Sequence, residues 1–120
     1  MMNEKFTTFW ILYVYILENH FDKDSESFNQ FASDANPFIW EEQSWDPVLF
    51  EDFSNVFDSE TINRNDYLFI LKEFLSRLEE VYSDVKNIVE SLDSNEFNNQ
   101  IAKIKNEGFD FYCTKYGIQK

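Results

Sequence analysis

The most regular pattern in the chain runs from Tyr67 to Leu92, where Tyr67, Leu71, Phe74, Leu78, Val81, Val85, Ile88 and Leu92 alternate steps of four and three. Such spacing keeps apolar side chains on one face of an α-helix. Unbroken, the segment predicts a rod of about 39 Å, roughly the width of a domain this size. The stripe fits a seam packed inside a helical bundle, with an intermolecular coiled coil as the alternative. Asn63 and Asp66 stand where the helix would be capped.

The remaining segments read as shorter helices. From Phe6 to about Phe21 apolar residues occupy nearly every face, which suits a central helix covered on most sides. The β-branched Thr7, Thr8, Ile11, Val14 and Ile16 keep a strand open as the other reading. Phe28, Phe31 and Ala32 predict an amphipathic helix over Asp24 to Ala35, ended by Asn36-Pro37 because the residue before proline is pushed out of the α region. Asp46-Pro47 reads as N-cap and first helical residue, with Leu49, Phe50, Phe53, Val56 and Phe57 as the apolar stripe behind it. Asp93 with Glu96 predicts a capping box for a last helix, in which Phe97, Ile101 and Ile104 face inward and Lys103 and Lys105 lie near the carbonyl end before Gly108. The tail "FDFYCTKYGI" alternates weakly and is expected to be a short strand or an irregular packed segment.

Glycine occurs only at 108 and 117 and proline only at 37 and 47, so the chain holds few obligatory breaks and no linker. Together these features predict a mainly α fold: one acidic helical domain over residues 1–120, a bundle of about five helices. The run "FTTFWILYVYIL" is too short for a membrane span, is closed by Glu18 and lacks a small-residue cleavage site, so a buried core segment is expected. Cys113 is the only cysteine, which allows no intramolecular disulfide and favours the cytoplasm.

Charge changes the picture most. Ten Lys and Arg stand against 23 Asp and Glu, a net of −13, so direct binding to nucleic acid or an anionic membrane is disfavoured and a cationic partner is the easier match. The excess is uneven. Glu18 to Glu60 holds twelve acids and one base, Lys23, whereas from Thr61 onward ten acids face eight bases. Solubility does not require that asymmetry, but docking onto a basic surface would use it for steering. In the same region, "DANPFIWEEQSWDP" (Asp34 to Pro47) places Trp40 and Trp45 among Glu41, Glu42, Asp46, Glu51 and Asp52. Aromatic anchors inside a charged rim are a common form of interface hot spot. Phe38 and Trp40 are expected to plug the core, and Glu41, Glu42, Trp45, Asp46, Glu51 and Asp52 are the candidate partner-binding residues.

Catalytic chemistry is poorly supplied. Two glycines leave no phosphate-cradling loop, dinucleotide fingerprint or nucleophile elbow. The sole histidine, His20, rules out paired-histidine zinc motifs and is expected at a helix end, hydrogen-bonded or solvated. Cys113, flanked by Phe111, Tyr112 and Tyr116, reads as a half-buried small hydrophobe. "DKDSES" (Asp22 to Ser27) starts like a calcium loop but lacks the central glycine and the closing glutamate, which leaves a solvated turn. Neither enzymatic activity, nor a cofactor, nor a metal is expected.

"FWILYVYILENHF", "FASDANPFIWEEQSWDPVLFEDFSNVF" and "DYLFILKEFLSRL", over roughly Phe6 to Leu78, resemble bacterial immunity proteins that protect cells from contact-dependent growth inhibition toxins. The resemblance is most specific at D-A-N-P-F-x-W followed by W-D-P and an aromatic helix. It implies a cytoplasmic protein that binds one cognate toxin domain, commonly a nuclease, and blocks it without doing chemistry. Two other readings stay open: an acidic DNA mimic that inhibits nucleic-acid-binding proteins, and a helical regulatory protein that dimerises through the Tyr67 to Leu92 seam. An enzyme using His20 or Cys113 is the remaining alternative. Whether the chain is a monomer or a homodimer is open at this level.

Overall fold

The computed structural model describes residues 4–20, 22, 24–34, 47–59, 63, 66–78 and 85–116. Among them the chain forms seven helices and no strand: α1 (Glu4–Asn19), α2 (Glu26–Asp34), α3 (Pro47–Phe57), α4 (Tyr67–Leu78), α5 (Val85–Ser91), α6 (Ser94–Glu107) and α7 (Phe109–Tyr116). The mainly α expectation is met, with more and shorter helices than the periodicity suggested.

Helix α1 is the axis of the bundle. Every residue from Thr8 to Ile16 is buried, so no face is left to solvent over that stretch. Its β-branched residues do not make it a strand, because α3, α4 and α6 pack around it and bury a helix on all sides. Two further helices close the ring. Tyr13 meets the Phe31 ring at 6.0 Å and donates its hydroxyl hydrogen to the Ala32 carbonyl at 2.6 Å, which seats α2. On α7, Phe109 stacks on Trp10 at 5.5 Å and stands edge-on to Phe6 at 5.7 Å. Helix α1 ends where the Asn19 side-chain amide donates back to the Tyr15 carbonyl and the His20 N–H to the Ile16 carbonyl.

The aromatic centre joins α1, α3 and α4. Phe53 is edge-on to Phe9 at 5.1 Å and to Phe74 at 5.2 Å, and it is fully buried. Such edge-to-face pairs add roughly 0.5–1.5 kcal/mol beyond the area they bury. Leu49, Val56 and Phe57 complete the buried stripe of α3 as the spacing predicts.

The long rod from Tyr67 to Leu92 does not form. In a straight helix Leu78 and Val85 would stand about 10.5 Å apart, yet α4 and α5 have several Cα pairs within 8 Å. Helix α5 therefore packs against α4 instead of continuing it. A strict apolar repeat cannot distinguish these outcomes, since both bury the same residues. Leu71, Phe74, Leu78 and Ile88 belong to the common core, with Tyr67 and Leu92 partly buried against it, so these six seam residues pack within the chain.

Local chemistry sets the helix ends. Asp66 accepts the Phe69 N–H at 3.1 Å as the cap of α4, and Asp93 accepts the Glu96 N–H at 2.9 Å as the cap of α6. Helix α2 begins at Glu26, two residues later than its pattern suggests, because the Asp22 side chain takes the Asp24 N–H in a local turn and Ser25 caps the helix by accepting the Phe28 N–H. Gly108 ends α6 at φ 87°, ψ 166°, a combination nearly restricted to glycine, and its N–H donates to the Ile104 carbonyl. This sharp break lets the chain start a new helix at once. The tail expected to be a strand or irregular is therefore α7: Tyr112 is buried and Tyr116 packs against the core, an i, i+4 pairing that needs helical geometry.

Candidate functional site

Helices α2 and α3 have the same construction. Each turns aromatic residues inward, Phe28 and Phe31 from α2 and Phe53 and Phe57 from α3, and neither contains a lysine or arginine. Their polar sides are consequently acidic: Glu26 and Asp34 on α2, Glu51 and Asp52 on α3. On α3, two residues correspond to roughly 200° of rotation, which places Glu51 opposite buried Phe53. Glu51 is exposed and Asp52 half-buried on the flank. Neither carboxylate forms an ion pair with a described residue. The structure thus brings two of the six candidate residues side by side on one helix. Glu41, Glu42, Trp45 and Asp46 lie outside the described residues, as do Phe38 and Trp40.

Two acids of the same sequence region serve the fold instead. Asp58 receives Lys5 Nζ at 2.7 Å, joining the end of α3 to the start of α1. Glu18 accepts Lys115 Nζ at 2.8 Å on one oxygen and the Tyr116 hydroxyl at 2.6 Å on the other, which fixes the end of α7 against α1. Burial alone would raise the Glu18 pKa. The Lys115 and Tyr116 hydrogen bonds and the charges of Lys115 and Lys103 outweigh it, leaving a net lowering from 4.5. On Tyr116 burial and the same carboxylate act together and hold the phenol protonated. Tyr112 donates its hydroxyl hydrogen to Glu107 at 2.9 Å in a parallel arrangement.

Sequence reasoning missed the role of Glu18. Its partners are 97 and 98 residues away, and no local pattern connects such positions. It also missed the cation–π contact of Lys105, whose ammonium lies 4.4 Å from the centroid of the Tyr67 ring.

His20 sits at the end of α1, where its Nε2 lies 3.1 Å from the Tyr15 hydroxyl. Burial lowers its pKa from 6.5, with Glu96 opposing, so the neutral ring is favoured. Cys113 is half-buried. Burial and Asp110 both raise its thiol pKa, which reduces the reactive thiolate at neutral pH. Among the described residues, no helix is long and apolar enough to cross a membrane, and no group of three His, Cys, Asp or Glu is placed to hold a metal ion.

No family model matches the chain, and no curated protein and no solved structure is similar enough to match it.

Proposed function

We propose that this protein is an immunity protein of the contact-dependent growth inhibition type, which binds one cognate toxin domain in the cytoplasm and neutralises it by steric and electrostatic occlusion. The observation that carries this reading is the concentration of negative charge between Glu18 and Glu60, twelve acids against one base. The exposed Glu51 beside Asp52, on a helix without any base, supports it. A nuclease toxin must be cationic where it grips phosphate, and an acidic surface can cover that region with fast, salt-sensitive association. Trp45 would supply an aromatic anchor within the acidic rim. The protein does no chemistry in this scheme and needs no cofactor.

Two measurements test it. Co-expression with toxin domains encoded beside the gene, followed by pull-down, should recover one partner in stoichiometric amount; protection without a complex would reject occlusion. Stopped-flow association across a salt series should then show the rate falling steeply with ionic strength. A rate indifferent to salt would remove the electrostatic part.

A further inference from the structure

An open cavity of about 270 Å³ lies between the start of α4 and the middle of α6, lined by Asp66, Tyr67, Asn98, Ile101, Ala102 and Lys105. Its lining is ordered by chemistry. Ile101, only 7% exposed, is the apolar floor, with the Tyr67 ring and the Ala102 methyl as walls. Lys105 is held over the Tyr67 ring at 4.4 Å, and its ammonium makes no ion pair with a described residue, although acids outnumber bases by more than two to one in the chain. A cation fixed by an aromatic face keeps its hydrogen-bond donors available while losing conformational freedom in advance. Asp66 spends Oδ1 on the Phe69 N–H, leaving its other oxygen as an acceptor. Asn98 adds an amide that can donate or accept.

We infer that this cavity is a binding site for the zwitterionic backbone of a free α-amino acid with an apolar side chain. The carboxylate is taken by Lys105 and Asn98 and the ammonium by Asp66, while the side chain lies on Ile101, Tyr67 and Ala102. Opposite charges in one small apolar-floored cavity suit a ligand that carries both. A purely anionic ligand would face Asp66 and a purely cationic one Lys105. The cavity of about 270 Å³ lies just below the roughly 300–1,000 Å³ of drug-sized ligand sites, which suits a ligand as small as one amino acid. The site is independent of the acidic segment on α2 and α3, and its failure would leave the partner reading untouched.

The test is a titration of the isotope-labelled full chain with L-leucine, followed by amide chemical shifts. Saturable shifts at Asp66, Tyr67 and residues 98–105 are expected. N-acetyl-L-leucine amide, which has the same side chain and neither charge, should produce none. Lys105→Met should weaken leucine binding about tenfold or more, the size of one charge-assisted hydrogen bond. Lys105 is exposed and does not endanger the fold. Absence of shifts with leucine, equal shifts with the neutral analogue, or unchanged affinity in Lys105→Met would each overturn the assignment.

Discussion

Helices α2 and α3 on one side, and α6 and α7 on the other, bury aromatic faces against the same central helix but treat charge in opposite ways. In α6 and α7 acids and bases are mixed, and several are spent on the fold: Lys103 meets Glu107 at 3.9 Å and Lys115 meets Glu18 at 2.8 Å. In α2 and α3 no base is present, and Glu26 and Glu51 face solvent. One half uses part of its surface charge to fix helix positions, whereas the other accumulates like charge on helices that contain no base. Repulsion among those acids is a cost to the folded monomer. The proposed cationic partner is where that cost would be recovered.

The contrast can be broken from either side. The largest effect should come from the shared core beneath α3: Phe53→Ala removes a fully buried ring that touches Phe9 and Phe74 and should destabilise the protein by about 3–5 kcal/mol in denaturant unfolding. Next is the joint between α6 and α7. Gly108→Ala introduces a side chain at φ 87°, where a Cβ meets no neighbour, so its cost is backbone strain alone, about 1–3 kcal/mol. A variant as stable as the parent would show that α6 and α7 do not need this break.

Glu18→Gln should cost about 1 kcal/mol, since the pair it forms with Lys115 is partly exposed. Its pH dependence has a definite sign. The folded pKa of Glu18 is lowered below 4.5, so its contribution is present above that value and is lost as pH falls through the folded pKa. His20 acts in the same direction closer to neutrality. Its folded pKa is lowered from 6.5, so stability falls as pH drops below 6.5, when the unfolded chain binds a proton that the folded one resists. Thermal melts of the parent, Glu18→Gln and His20→Gln across pH would separate the two windows.

Smaller changes sharpen the comparison. Thr8 is completely buried and its hydroxyl has no hydrogen-bond partner among the described residues, so Thr8→Val should be neutral or stabilising by up to about 1 kcal/mol. Glu51→Gln with Asp52→Asn should leave stability within about 0.5 kcal/mol while slowing association with the proposed cationic partner. Equal association rates would place the partner elsewhere on the molecule.

Much of this was readable before the structure. The stripes Phe28, Phe31 and Phe97, Ile101, Ile104, the caps at Asp66 and Asp93, the break at Gly108 and the all-round burial of α1 follow from short-range rules, because helix periodicity and capping act within one or two turns. Of the candidate site, only the acidity of α3 was both legible and placed, with Glu51 outward and Asp52 on the flank. The packing of α5 against α4 was not legible, since a heptad-like repeat suits one continuous helix and two packed helices alike.

The sequence by itself determined that the chain is mainly helical, where α3, α4 and α6 start, and that negative charge is crowded into one third of its length. Only the tertiary structure decided which acids are spent on the fold. Glu18 and Lys115 are remote in the chain and adjacent in space, as are Lys5 and Asp58, and Tyr67 meets Lys105 only because α4 lies against α6. Charge composition is a sum over residues, whereas pairing depends on packing, and packing is fixed by the burial of aromatic faces around α1.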